Sequence, residues 1–383
     1  MYAKKSKMLA GALLAGSLGA SAVAQAETSV TLYGLIDAGL VYQRGKVGRT
    51  DGARPQYGGD YQSRLSTGAN QQSGSRWGLR GSEDLGDGLR AIFVLESGFS
   101  PTTGRSGQSD RLFGRQATLG LAHDAYGRID LGRQKNVASN FLKGIDPFEL
   151  DFLQATAGTA FSAANSVRYD NAILYHTPVW GGFQAAVGYS FEFDQDRTLP
   201  GAFENDEKNR AVTAGLRYAS GPLEVALTYD QQFRHPSAPQ PKQAILGAAY
   251  DLEVLKISVA YGYTKDGLLS GQDIDLVAGR NNPNTPARGT GTTNQDFTWK
   301  GLTVHSYLVG LSAPVGASGK VLGSYQRADP NKNLSATDVY SLGYLHDLSK
   351  RTNLYAFASY ANRAAFVYGN KMTTVGVGLR HRF

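Results

Sequence analysis

Cysteine is absent from the 383 residues, so no disulfide holds this chain together, even in a compartment that would permit one. Long apolar runs are missing too. Past residue 26, no stretch approaches the roughly 18 consecutive apolar residues of a membrane-crossing helix. That excludes a helical membrane protein but leaves a barrel open, because a membrane strand needs only about 10 residues with every second one apolar. Clustered charge is also lacking: the formal net charge of +7 is spread along the chain, whereas a nucleic-acid surface gathers its basic residues on one face. The six histidines, His123, His176, His235, His305, His346 and His381, have no ligand-like spacing, and no Gly-rich loop leads from a strand into a helix. Nothing marks the Ser, His and acid set of a barrel lipase. No metal, cofactor, catalytic set or nucleic-acid partner is expected.

The chain begins with a processing signal. Lys4, Lys5 and Lys7 precede a small-residue apolar run from Met8 to Val23 and then Ala24-Gln25-Ala26, the basic region, apolar region and A-x-A site of a secretory signal peptide. A membrane anchor is the rival, but the run is short for a roughly 20-residue span and rich in Gly and Ser. Cleavage after Ala26 leaves Glu27 to Phe383, which is 383 − 26 = 357 residues, and removing three lysines lowers the charge from +7 to +4. Stability without disulfides has to come from elsewhere, and a closed sheet is one candidate.

Alternation of apolar and polar residues, the period of a strand, runs through most of that mature chain. Trp77 and Leu79 share one face and Arg76 and Arg80 the other; Ala91, Phe93 and Leu95 alternate with Arg90 and Glu96. Val225, Leu227 and Tyr229 oppose Glu224, Thr228 and Asp230, and Ile257, Val259, Tyr261 and Tyr263 oppose Lys256, Ser258 and Thr264. Apolar faces that end in Tyr or Phe suit the headgroup level of a membrane. Short turns such as Ala219 to Pro222 and Asp251 to Val254 take turns with long polar connections such as Gln43 to Gln72, Asp194 to Asn209 and Asp266 to Asp296. One end of the sheet is trimmed and the other elaborated, as in an outer-membrane barrel. Sixteen runs can be counted, starting near Val30, Gly74, Leu89, Arg115, Arg128, Val167, Gln184, Arg210, Leu223, Lys242, Leu255, Val304, Gly319, Ala336, Asn353 and Met372. Sixteen strands enclose an aqueous channel rather than a packed interior. A soluble β-sandwich would also alternate, but its second face would be apolar. The last run places Thr373, Val375, Val377 and Leu379 on one face with terminal Phe383, and closing a barrel gives that strand a partner.

One stretch breaks the rhythm. Residues 136–166 read NVASNFLKGIDPFELDFLQATAGTAFSAANS, with Asp146, Glu149 and Asp151 around Pro147 and then a run of Ala, Thr, Gly and Ser. So long a connection without regular structure is usually disordered or functional.

The opening Val30-Thr31-Leu32-Tyr33-Gly34-Leu35-Ile36-Asp37-Ala38-Gly39, the block GSRWGLRGSEDLGDGLRAIFVLESGF (Gly74 to Phe99), GRQATLGLAHDAYGRIDLGRQ (Gly114 to Gln134) and the terminal Phe resemble the Gram-negative general porins of the Neisseria, Bordetella and Burkholderia type. The resemblance implies a homotrimer of 16-stranded antiparallel transmembrane β-barrels in the outer membrane, in contact with its lipid and lipopolysaccharide and passing small hydrophilic solutes and ions. It also implies that the third external loop, here 136–166, folds inward and that its acids face a ladder of arginines on the wall. Carried over by position, the basic candidates are Arg76, Arg80, Arg115, Arg133 and Lys135; the acidic ones are Asp146, Glu149 and Asp151. Where many such porins have Pro-Glu-Phe-Gly, this chain has Asp146-Pro147-Phe148-Glu149-Leu150. Parity puts Arg133 beside Ile129 and Leu131, so a luminal Arg133 requires a bulge or strand end.

Opposed acids and bases across a narrow wet gap set up a transverse field that favours polar solutes, and the excess sign biases ions. The excess of +4 and the arginine-rich early strands lead to an expected weak anion preference. An adhesin or receptor barrel that binds through its long loops is the alternative from another class, and a sugar-specific channel, lined by aromatic side chains, is a third reading.

Overall fold

The computed structural model describes residues 29–46, 49–51, 54–56, 61–193, 209–269 and 298–383. The expected signal peptide lies outside them, as does most of the connections expected over Asp194 to Asn209 and Asp266 to Asp296. Sixteen antiparallel strands close into a barrel: β1 (Ser29–Lys46), β2 in two segments (Tyr61–Ala69 and Arg76–Gly86), β3 (Leu89–Gly98), β4 (Gln116–His123), β5 (Gly127–Lys135), β6 (Arg168–His176), β7 (Phe183–Ser190), β8 (Arg210–Ser220), β9 (Leu223–Phe233), β10 (Lys242–Asp251), β11 (Lys256–Lys265), β12 (Thr303–Val315), β13 (Gly319–Pro330), β14 (Thr337–Asp347), β15 (Thr352–Asn362) and β16 (Lys371–Arg382). Each pairs with its neighbours in the chain, and β16 closes on β1 from Leu35↔Arg382 to Gly45↔Met372. Backbone bonds of 3.0 Å in both directions between Gly34 and Phe383 seal the seam. With no edge left, every ladder group along the seam finds a partner without water, which a lipid-embedded sheet requires.

The faces are inverted relative to a soluble protein. Outward-pointing Leu227, Val259, Tyr261, Val309 and Leu342 are exposed, whereas inward-pointing Thr228, Asp230, Ser258, Thr264 and Ser306 are buried. Hydrocarbon takes the place of a core on the outer surface. At one end the strands are joined by tight turns, such as Gly86-Asp87-Gly88, where all three residues have positive φ (90°, 51° and 78°) and glycine at the flanks accepts that backbone without strain. The other end carries the long connections.

One expectation needs correcting. The polar stretch from Gln43 to Gln72 reads as a loop in the sequence, but β1 continues to Lys46 and Tyr61–Ala69 pairs with it, from Lys46↔Tyr61 to Ala38↔Ala69. A short ribbon, Arg49–Asp51 with Arg54–Gln56, lies between them. Only after residues 70–75 does β2 resume, as Arg76–Gly86, against the lower half of β1.

The third long connection enters the barrel. It holds a short helix, α1 (Val137–Phe141), and three single 3-10 turns at Leu153–Ala155, Ala157–Thr159 and Ser162–Ala164. Val137, Phe141, Leu142, Ile145 and Phe161 pack on Leu174, Ala186, Ala226, Ile245, Ala249 and Leu308 of the inner wall. Farther along, Phe148 and Phe152 pack on Leu322, Tyr355 and Phe357. Each large side chain so buried contributes on the order of 1.5–3 kcal/mol. The wall makes room with glycine. A methyl group at Gly310 would come within 2.3 Å of Pro147 Cγ, at Gly215 within 2.8 Å of Val137, at Gly262 within 2.8 Å of Phe161, and at Gly343 within 3.0 Å of Phe148.

Candidate functional site

The loop's path is fixed by polar side chains of the inner wall. Asn136 caps α1 by accepting from Ser139 N at 3.1 Å, and its amide donates to Asp230 Oδ1 on β9 and to Ala163 O, both at 2.8 Å. Val137 N donates to Thr213 Oγ1 on β8 at 2.8 Å. On the return leg Gln326 of β13 donates to Ala155 O (2.8 Å), Ser306 of β12 to Ala160 O (2.6 Å), and Ala163 N to Gln243 Oε1 of β10 (2.7 Å). Buried irregular backbone has to find such partners.

The far tip docks where β2 is interrupted. Phe152 N donates to Gln72 O at 3.1 Å, and the Phe152 ring stands edge-on to Phe148, Tyr355 and Phe357 at 5.5, 6.0 and 5.6 Å. Residues 71–73 are buried. Asp37 of β1 anchors them by accepting from Ser73 N at 2.6 Å and from the Tyr355 hydroxyl. Ser73 Oγ in turn donates to Asp151 Oδ2 and accepts from Arg380 Nη1, both at 3.0 Å.

Opposite the loop, basic side chains gather. Arg115 Nε donates to Glu96 Oε1 at 2.6 Å, Arg76 Nε lies 3.7 Å from Oε2, and the Tyr33 hydroxyl donates to the same carboxylate at 3.0 Å. The Arg80 guanidinium lies 5.4 Å over the Tyr33 ring, nearer the short turns. Arg168, at the start of β6, donates to Arg115 O and Ser166 O at 3.0 and 3.1 Å. Lys135 is coupled electrostatically to Arg168 and Arg115 and, across the gap, to Asp151. Asp151 also acts on Arg76 and Arg380.

The structure separates the three acidic candidates. Asp151 faces the basic wall, and Glu149 is exposed and within electrostatic reach of Arg380. Asp146 is only 3% exposed. It turns into its own loop, accepting from Phe148 N at 3.2 Å and from Leu150 N and Ala157 N at 2.9 Å. Burial pushes its carboxyl up to about 6 against the pull of those three donors. Asp146 organises the loop instead of facing the opening. Arg133 is the other outlier. The register does shift between Gly132 and Gln134, yet the Arg133 guanidinium goes to Gly114 O at 2.8 Å and to Asp170 at 2.5 Å, an acid it shares with Arg111. Its charge is answered there by Asp170, while it stays within electrostatic reach of Arg168.

Residues 10–365 match the Gram-negative porin family. An outer membrane porin protein of Bordetella pertussis is 47% identical over 99% of this chain and all of that protein. Outer membrane porin protein 32 of Delftia acidovorans is 32% identical, with the same coverage of 99% and 100%. Among solved structures, an anion-selective porin from Comamonas acidovorans superposes with a TM-score of 0.69 at 30% identity, over 93% of this chain and all of that one.

The chain belongs to the Gram-negative porin family. It is an outer-membrane diffusion porin, and the barrel is its channel. Sequence reasoning missed several of the porin's charged groups. Glu96 had been placed on the wet face without its partners, because a strand's own period gives no cross-strand register. Arg380 had the right parity but lies far from the loop in sequence. Arg168 sits two residues beyond the irregular stretch, at the very start of the run near Val167, where too few positions precede it for period to orient it. Among the described residues, no group of three His, Asp or Glu is placed to hold a metal ion.

Proposed function

We propose that the porin passes small hydrophilic solutes with a preference for anions, selected where the tip of the loop faces the basic wall. The supporting observation is the charge count at that gap. Arg76, Arg115, Lys135, Arg168 and Arg380 stand against Glu96, Glu149, Asp151 and, behind Arg380, Asp37, five cations against four carboxylates. A surplus of fixed positive charge in a low-dielectric frame concentrates anions and repels cations. The similarity to the anion-selective porin from Comamonas acidovorans supports the same reading. The sugar-specific alternative gains nothing from the aromatic side chains the loop carries inward, since Phe148, Phe152 and Phe161 are buried against the wall. The test is the reversal potential of the reconstituted porin across a potassium chloride gradient: an anion-favouring sign is expected, and a cation-favouring one overturns the proposal. The reading also includes export by residues 1–26, checked by N-terminal sequencing of the mature protein for Glu27, and assembly as a homotrimer, checked by native mass spectrometry.

A further inference from the structure

A second feature lies under the loop, next to the gap: it shares Glu149 with it, and its Lys143 is within electrostatic reach of Lys135. Between the first half of the loop and β6 to β13 there is a recess of about 500 Å3, within the size range of small-molecule sites. Its wall residues all come from the short-turn ends of their strands, His176 closing β6 and Lys256 opening β11 among them. A solute that has crossed the gap at the loop tip therefore meets the recess next.

The recess carries a surplus of one positive charge. Lys143 of the loop, Arg217 of β8, Lys256 of β11 and Lys320 of β13 line it, against Glu149, Glu224 and Asp146, and the oxygens of Asp146 are taken up by the loop's own N–H groups. Two of the four cations are fixed in place. Arg217 Nε donates to Glu224 Oε1 at 2.9 Å, and Lys256 Nζ donates to Gly144 O at 2.7 Å while lying 3.9 Å from Glu224. Lys143 and Lys320 have no ion-pair partner among the described residues. The Ser258 and Ser312 hydroxyls add neutral donors. Two pinned cations, two unpaired ammonium groups and hydroxyls around one chamber match the needs of an anion with several oxyanion charges, and the volume exceeds what a halide uses.

We infer that this recess is a second anion station, taking compact multiply charged oxyanions such as phosphorylated or polycarboxylate solutes as they leave the constriction. The inference rests on the anion-passing reading above. Binding there has to be weak, with a dissociation constant in the millimolar range, because a station on a conducting path must release what it holds.

The experiment uses the full porin in planar bilayers, with inorganic pyrophosphate added to potassium chloride and single-channel current recorded. Pyrophosphate is expected to reduce the wild-type current in a saturable way. The Lys143→Gln/Lys320→Gln double variant should raise the half-blocking concentration about tenfold or more while the reversal potential keeps its anion-favouring sign, and Lys143→Arg/Lys320→Arg should restore the block. A wild-type current that pyrophosphate leaves untouched overturns the inference, and so does unchanged block in the double variant. A loss of block that merely tracks a loss of chloride preference also overturns it, since that identifies a general field and no site. A porin that conducts but favours cations defeats the selectivity reading separately.

Discussion

Replacing Phe152 with alanine is expected to release the tip of the loop while leaving the barrel closed. The ring is 4% exposed and meets three aromatic rings edge-on within 6.0 Å. Truncating a buried phenylalanine costs roughly 3–5 kcal/mol, which includes the surplus that edge-to-face pairs add. What remains at the tip is the bond from Phe152 N to Gln72 O, worth about 0.5–1.5 kcal/mol net, the bond from Ser73 to the Asp151 carboxylate, worth about 1.5–3 kcal/mol, and the long contacts of Gln154 with Ser359 and Met372. The aromatic clasp is therefore the largest single contribution, and its loss lowers the docked-to-released ratio by roughly two to three and a half powers of ten at about 1.4 kcal/mol per decade. Glycines and polar anchors along the rest of the path stay intact, so the loop remains inside and only its far end moves. Single-channel recording should show larger conductance and more open-channel noise, and the reversal potential should shift further toward anions as Asp151 leaves the basic wall. Unaltered heat-modifiable mobility on gels would establish that the barrel is folded. An intact barrel with wild-type conductance and noise would refute the clasp.

Other perturbations separate structure from selectivity. Gly310→Val sets a branched side chain where even a methyl would approach Pro147 to 2.3 Å; overpacking of that kind typically costs about 1–3 kcal/mol, and faster proteolysis within 136–166 on an unchanged barrel is the expected readout. Asp151→Asn with Glu149→Gln should raise anion preference, seen in the reversal potential. Asp146→Asn should instead shift that potential little and loosen the loop by about 1–3 kcal/mol through its lost acceptor, measured as faster amide exchange at Leu150 and Ala157. The same amides report on pH. Because the Asp146 carboxyl is raised from 3.8 to about 6 by burial, its contribution to docking is full below about 4 and declines as pH rises through 6. The protection factors of these amides, with the base-catalysed intrinsic rate divided out, should therefore fall across that window in the wild type and stay level in Asp146→Asn.

Strand positions were legible because two independent signals agree in them, a period of 2 and a turn at each end. Each expected start falls within two residues of an observed one, as with Val30 for Ser29 and Leu255 for Lys256. The upper segment of β2 escaped because Tyr61 to Ala69 rises where no apolar face is demanded. Arg64 there bonds Gln43 inside while Leu65 stands exposed among polar neighbours, so alternation disappears although pairing continues. Arg76, Arg80 and Arg115 followed from parity and resemblance. Which acid faces them could not. Glu149, Leu150, Phe152 and Leu153 all take positive φ, from 50° to 67°, a backbone that non-glycine residues adopt only when their surroundings hold them there. No glycine marks those reversals in the sequence, and they decide that Asp151 looks across the gap while Asp146 looks back into the loop.

The glycine track under the loop has a consequence for the shape of the route itself. At the level of the loop, from β8 round to β15, the inner surface behaves like half of a globular core, close-fitted to its insert, and the arc from β16 through β1 to β6 is left to water; below the loop, at their short-turn ends, β8 to β13 open onto the recess. Solutes travel off-axis, against one side of the cylinder. A substitution on the close-fitted arc should therefore be felt first as lost stability, and one on the wet arc as altered permeation, although both sit on the same sheet and point to the same interior.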